Sequence, residues 1–253
     1  LVRDNTSRVE AERARAREAE EQARAEAMSQ FAYIASHDLQ EPVRNMSTVA
    51  DMLRADKNNM LSPQSEKALG FLTTATNRMR NLIHGLLEYS RIGRASEAEL
   101  VDLNEVLDNV QADLRLRIEE TRAEIRIENH LPTFTMYEVE VRMLFQNLIS
   151  NALKFIPADR QPHIRIASQT LSPGHWRFSI SDNGIGIPVS QYKKVFTIFH
   201  RATTRKEFEG TGIGLAHCLK IAELHHGKIW VRESSPEGTT FSVELMEVHD
   251  DDA

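Results

Sequence analysis

The segment Asn147-Leu148-Ile149-Ser150-Asn151-Ala152-Leu153-Lys154-Phe155 ends a helical pattern that starts at Tyr137 and is apolar almost all round, through Val139, Val141, Leu144, Phe145, Leu148, Ile149, Ala152, Leu153 and Phe155. Asn147, Asn151 and Lys154 interrupt it at spacings of four and three, which puts them on one face. Two amides and an ammonium on a buried helix are costly unless something polar meets them. Two readings meet that need: a polar crossing closed within the protein, or the wall of a site for a metal and phosphate.

Two glycine segments follow. A strand pattern at His175–Ser181 runs into Asp182-Asn183-Gly184-Ile185-Gly186-Ile187-Pro188. An acid at a strand end followed by glycines lets backbone approach a ligand closely while Asp182 accepts from a donor. Glu209-Gly210-Thr211-Gly212-Ile213-Gly214-Leu215 then opens a helical pattern through Ala216, Leu219 and Ala222, and a glycine turn at a helix N-terminus is a natural anion site. It is not a Walker loop, because no Gly-Lys-Ser/Thr occurs, and no strand directly precedes it as a Rossmann fingerprint requires. Either glycine segment alone says little. Their order after the asparagine stripe says much more.

Around these segments, 104–121 reads as helix, and 124–128, 163–168, 228–233 and 239–246 read as strands. Consecutive strands separated by long glycine-bearing segments predict an α+β two-layer sandwich over 100–247 rather than a doubly wound sheet. Residues 93–99 are small and polar and read as a linker, and 248–253 as a disordered acidic tail.

The chain before the linker is helical in pattern. Residues 8–27 are almost all Ala, Arg, Glu and Gln, strong helix formers with little to bury, so 1–27 reads as a charged spacer or a coiled-coil stem. Leu1 rather than Met opens the chain, so a fragment is expected, and in the coiled-coil reading the stem carries a signal from a missing N-terminal sensor domain. From Met28 a seam of period 3.5 runs through Ala32, Ala35, Leu39, Pro42, Met46, Val49 and Leu53. Ser62-Pro63 reads as an N-cap and first-turn proline, opening a second seam through Leu69, Leu72, Thr76, Met79, Ile83, Leu86 and Ser90. Such a hairpin over 28–92 cannot close a core alone, and two copies make a four-helix bundle, so a homodimer is expected. On the first seam His37 falls at the outermost position beside Asp38. Pro42 removes the hydrogen bond to the Asp38 carbonyl, so the helix should bend there. An exposed imidazole flanked by an acid can be held in one tautomer and made nucleophilic.

Composition narrows the class. The 253 residues are 41% hydrophobic, enough for a core, and the net charge of −6 gives no general basic field for nucleic acid or an anionic membrane. Cys218 is the one cysteine, which excludes an internal disulfide framework and a cysteine-based zinc site. No apolar run reaches the ~20 residues of a membrane span and no signal peptide opens the chain, so a soluble, cytoplasmic segment is expected.

Taken together, the motifs resemble the kinase core of bacterial sensor histidine kinases over about residues 28–247. Ser36-His37-Asp38-Leu39-Gln40-Glu41-Pro42 resembles the phosphoacceptor box and Asn147–Phe155 the asparagine box. Asp182–Ile187 resembles the first glycine box, Val195-Phe196-Thr197-Ile198-Phe199-His200-Arg201 the phenylalanine box, and Gly210–Leu215 the second glycine box. The wording Leu39-Gln40-Glu41-Pro42 and a short lid at 201–210 are most similar to kinases attached to phytochrome or other PAS/GAF-type sensors. The resemblance implies a Bergerat-type ATP fold in which Asp182 accepts from the adenine amino group, with Gly184 and Gly186 giving it room. It implies that Asn151 coordinates Mg²⁺, that Asn147 and Lys154 line the phosphates, and that a lid with Lys206, Gly210, Gly212 and Gly214 closes over the triphosphate. Ile187, Arg201, Thr211, Leu215 and Thr240 complete the implied ATP site. A hinge at 93–97 would carry the γ-phosphate to His37, with Asp38 as base or orienter, and the phosphoryl group would pass on to an Asp of a response-regulator receiver domain.

The chain departs from the family at Glu41, where a Thr or Asn is associated with phosphatase activity, and at His200, where Tyr is common. Two other classes compete: a catalytically degenerate dimeric scaffold, and an ATPase of the wider Bergerat superfamily. Intact His37, Asn151, Asp182 and glycine boxes argue against the first, and the outward His37 on a hairpin against the second.

Overall fold

The computed structural model describes residues 39–40, 42–54, 62–94, 97–203, 208 and 210–248. The chain divides into two compact units between Arg91 and Ile92.

The first unit is a helical hairpin. Helix α1 covers 42–54, with 39–40 also helical, and α2 spans Pro63–Arg91. Ser62 caps α2 as its sequence suggests, its Oγ accepting from the Ser65 N–H at 3.2 Å. The two helices meet along Val43, Ser47 and Ala50 on one side and Leu69, Thr76, Ile83 and Ser90 on the other. The second set repeats every seven residues. The polar members of this seam are satisfied: Arg80 donates to Ser47 Oγ at 2.7 Å and the Thr76 hydroxyl donates to the Leu72 carbonyl at 2.9 Å. The buried line of α1 is one residue beyond the expected seam, because Leu39, Met46, Val49 and Leu53 are exposed, as are Leu72 and Met79 of α2. A two-helix pair can bury only the line facing its partner. The adjacent apolar line is left over.

The second unit is a two-layer sandwich. Its strands are β1 (Glu99–Asp102), β2 (Glu124–Ile127), β3 (Thr133–Met136), β4 (His163–Ser172), β5 (His175–Asp182), β6 (Lys228–Ser235) and β7 (Gly238–Met246), and its helices are α3 (Leu103–Asp113), α4 (Arg115–Thr121), α5 (Glu138–Lys154) and α6 (Gly214–Leu224). Five strands form a mixed sheet in the order β2-β4-β5-β7-β6, parallel only between β2 and β4. One face carries Ile164, Ile166, Phe178, Ile180, Phe241, Val243, Ile229 and Val231 against the apolar faces of α3, α5 and α6, in one core. The opposite face is polar, with the Arg177 guanidinium and the Lys228 ammonium both on the Glu244 carboxylate. Alternation along each strand separates the two faces.

Several details differ from the sequence reading. The helix expected over 104–121 breaks at Leu114, whose φ of −92° and ψ of 4° leave the helical region, so that Leu114 and Ile118 both reach the core. Strands β1 and β3 pair as a separate two-stranded sheet that the pattern did not announce. Ile92 is buried in this core, so the second unit starts earlier than residue 100. Val248, assigned to the tail, is also buried, and its N–H donates to the Thr135 carbonyl at 3.0 Å. Among the described residues, no helix is long and apolar enough to cross a membrane.

Candidate active site: a nucleotide cavity

The polar stripe of α5 opens onto a cavity of about 390 Å³. Asn147, Asn151, Lys154 and Phe155 form one wall; Asp182 and residues 185–188 form the floor; residues 200–203 and the second glycine segment close the far side. The stripe is therefore not a crossing satisfied inside the core.

Asp182 ends β5. Its Oδ1 accepts from the Gly184 N–H at 2.8 Å and the Thr239 N–H at 3.2 Å. Both bonds fall on the same oxygen, which leaves Oδ2 for a donor in the cavity. Burial pushes this carboxyl up to about 6, against those two bonds, which pull it down. The turn after it depends on glycine. A Cβ at Gly184 would lie 2.4 Å from the Phe155 carbonyl, and one at Gly186 (φ +74°) would lie 1.9 Å from the Ser235 carbonyl. Ile185 N–H donates to that Phe155 carbonyl at 2.9 Å and Ile187 N–H to Ser234 Oγ at 2.7 Å. Arg160 adds a clamp that sequence reasoning missed, donating to the Asn183 carbonyl at 2.6 Å.

The second glycine segment lies directly over the stripe. A Cβ on Gly210 would stand 2.5 Å from Lys154 Nζ, and one on Gly214 would stand 2.8 Å from Asn147 Oδ1. Backbone approaches these polar side chains so closely that a Cβ at either position would have to displace them. Helix α6 begins at Gly214 without a side-chain cap, and Gly214 and Leu215 at its N-terminus line the cavity. Gly212 (φ +73°) turns the segment, its carbonyl accepting from the Phe199 N–H at 2.9 Å.

Of the expected site residues, Asn147, Asn151, Lys154, Asp182, Gly186, Ile187, Arg201, Gly210, Thr211, Gly212, Gly214 and Leu215 line this cavity, and Gly184 sits behind it as a ligand of Asp182. Thr240 does not line it. Its hydroxyl lies on the polar side of the sheet, 2.9 Å from Ser181 Oγ, and Thr239 takes the position at the cavity. Adjacent strand residues face opposite ways, so an error of one residue changes the face. His37, Asp38, Glu41 and Lys206 lie outside the described residues. Phe155, Phe208 and His200 line the cavity without having been expected to as ligand contacts. The Phe155 and Phe208 rings lie 5.5 Å apart, tilted at 46°, and Arg201 donates to the Phe208 carbonyl at 2.7 Å.

The donor set fits Mg·ATP. A carboxylate oxygen and apolar Ile187 and Phe241 suit a purine with an amino group, and an ammonium, two amides and a helix N-terminus suit phosphates. Among the described residues, no group of three or more His, Cys, Asp or Glu can hold a metal.

Two family models match the chain: the His Kinase A (phospho-acceptor) domain over residues 27–95, and the histidine kinase-, DNA gyrase B-, and HSP90-like ATPase over residues 136–249. Phytochrome-like protein Cph1 of Synechocystis is 38% identical over 85% of this chain and 28% of its own length. Sensor protein kinase WalK of Staphylococcus saprophyticus is 30% identical over 85% of this chain and 36% of its own length. The chain thus spans about a third or less of these relatives. Histidine kinase ThkA, solved in complex with response regulator protein TrrA, superposes with a TM-score of 0.62 at 22% identity, over 91% of this chain and 66% of that one, a likeness of fold. With a phosphoacceptor hairpin match ahead of an ATPase sandwich whose cavity is built from the asparagine stripe and both glycine segments, the chain belongs to the sensor histidine kinases.

Proposed function

We propose that this chain phosphorylates its own His37 from Mg·ATP and passes the phosphoryl group to an Asp of a response-regulator receiver domain. The observation that carries the reading is the meeting of Asp182, the Asn147/Asn151/Lys154 stripe and the Gly210–Gly214 backbone in one cavity.

In this account Asp182 Oδ2 accepts from the adenine amino group. Lys154 and the α6 N-terminus neutralise phosphate oxygens, and Asn147 and Asn151 orient them. Asn151 supplies an oxygen ligand to Mg²⁺, which when bound neutralises charge on the phosphates. An imidazole nitrogen of His37 attacks the γ-phosphorus, the bond to the β,γ-bridging oxygen breaks, and ADP leaves with that electron pair. Asp38 orients the imidazole and takes its proton. Such transfer needs mainly positioning and charge neutralisation. Glu41 brings negative charge towards an anionic acyl phosphate, so the chain is a kinase with weak phosphatase activity towards its regulator.

The working unit is a homodimer, because the hairpin leaves Met46, Val49, Leu53, Leu72 and Met79 exposed in two lines that a second hairpin would cover. Residues 1–27, read from the sequence as a stem, lie outside the described residues. Reaction with ATP labelled at the γ-position tests the whole reading. A kinase yields an acid-labile, base-stable labelled protein, a scaffold yields none, and a plain ATPase releases labelled phosphate without labelled protein.

A further inference from the structure

The end of the catalytic unit away from the glycine segments carries a second built feature, where the connecting chain enters. Ile92 is buried in the core, and the Gly93 N–H donates to Glu140 Oε1 at 3.3 Å. Gly93 has φ +80°, and a Cβ there would stand 3.0 Å from Leu224 Cδ1. Glu140 lies in the first turn of α5 and is only 4% exposed. Leu224 is the last residue of α6. The two elements are joined at the same place, since His225 Nε2 accepts from the Tyr137 N–H at 3.2 Å.

A carboxylate in the first turn complements the helix dipole, but that role needs no burial. Glu138 fills it on the same turn with partial exposure. Burying a second carboxylate is costly unless its bonds are used, and one of those bonds is to the connecting chain. Glu140 and Leu224 thereby hold the entering chain at one end of the two helices whose other ends carry Asn151, Lys154 and Gly214 at the cavity. The segment 93–97, which reads as a free hinge, is therefore pinned at its first residue.

We propose that Glu140 is a positioning residue for phosphoryl transfer: by holding the Gly93 N–H it fixes where the connecting chain leaves the catalytic unit, so that the pivot lies on the hairpin side of Ile92. This rests on the histidine kinase reading. The anchor sets the rate at which bound ATP reaches the phosphoacceptor, and leaves nucleotide affinity alone.

The test measures kcat and KM for ATP in autophosphorylation of the full chain, with the Kd for Mg·ATP by calorimetry. Glu140→Leu removes the acceptor, and Glu140→Gln keeps an acceptor oxygen. Glu140→Ala removes the acceptor with a smaller side chain and keeps the test alive if Glu140→Leu does not fold. The expected result is a loss of tenfold or more in kcat for Glu140→Leu and Glu140→Ala, with Kd within twofold of wild type and most of the rate kept in Glu140→Gln. If kcat is unchanged in Glu140→Leu and Glu140→Ala, or falls as far in Glu140→Gln, or Kd worsens in step with kcat, the proposal is wrong. A wild-type chain that binds nucleotide but takes no label would overturn the kinase reading and this proposal together; wild-type labelling with unaffected variants would overturn this proposal alone.

Discussion

Replacing Asp182 with asparagine separates what the site does for the ligand from what it costs the fold. In the structure Oδ1 already accepts from Gly184 and Thr239 N–H groups, at 2.8 and 3.2 Å. An asparagine keeps those bonds through its oxygen and turns its NH₂ towards the cavity, where a donor then meets the adenine amino group. Losing one hydrogen bond to a charged acceptor costs about 1.5–3 kcal/mol, or roughly ten- to a hundredfold in Kd. The same change relieves the fold. Because burial holds the carboxyl up to about 6, above its unfolded value of 3.8, the ionised group opposes folding above pH 6, and stability rises as pH falls from 6 towards 4. The amide carries no charge, so at pH 7.5 the nucleotide-free Asp182→Asn variant should be more stable by about 1–2 kcal/mol after allowing for water in the open cavity. Wild-type affinity for ATP should also weaken as pH drops below 6, while the variant shows no such step. Calorimetric Kd and Tm across pH 5–8 measure both effects. A variant that binds ATP as tightly as wild type, with the same pH profile, would refute the assignment of adenine to Asp182.

Other outcomes follow from single contacts. Gly214→Ala should weaken nucleotide binding with little change in Tm, because its Cβ displaces the Asn147 amide, whereas Gly186→Ala should lower Tm by several degrees because its Cβ meets a backbone carbonyl at 1.9 Å in a left-handed conformation; differential scanning fluorimetry with and without ATP separates them. His225 is held below the usual histidine range first by burial, with Glu140 opposing and His226 reinforcing that shift, and its neutral ring donates from Nδ1 to the Ile221 carbonyl and accepts at Nε2 from Tyr137. Its stabilisation is therefore complete above about pH 6.5 and is lost as pH falls through the lower folded value, so the Tm deficit of His225→Gln should be full at pH 7.5 and shrink below pH 6. Light scattering should give about twice the 28.8 kDa chain mass, and Met79→Glu, which charges the exposed line of α2, should shift it towards one.

Much of the catalytic unit is legible in the sequence because its constraints are local. An apolar helix bearing Asn147, Asn151 and Lys154 on one stripe has to meet something polar, and a Cβ would stand within 3 Å of a backbone carbonyl at Gly184 and Gly186 and of a stripe side chain at Gly210 and Gly214. The features that were not legible are set by partners distant in sequence. Strands β1 and β3 have four residues each and find one another across thirty residues of chain. The choice between Thr239 and Thr240 rests on the register of β7, and the shift from Met46 and Val49 to Ser47 and Ala50 depends on which face of α1 meets α2. After α6, His226 rather than a glycine takes the positive φ of 51°, and Gly227 is required because a Cβ there would lie 1.8 Å from the Glu244 carbonyl. The side chain of His225 becomes a joint between α5 and α6, which no spacing rule signals.

The central claim, that a phosphoryl group bound in this cavity goes to His37, is tested most directly by labelling with γ-³²P-ATP and locating the label. The account predicts acid-labile label on the peptide containing His37, abolished in His37→Gln while calorimetry still gives wild-type nucleotide affinity. Label of wild-type amount in His37→Gln, or label on another residue, would contradict it.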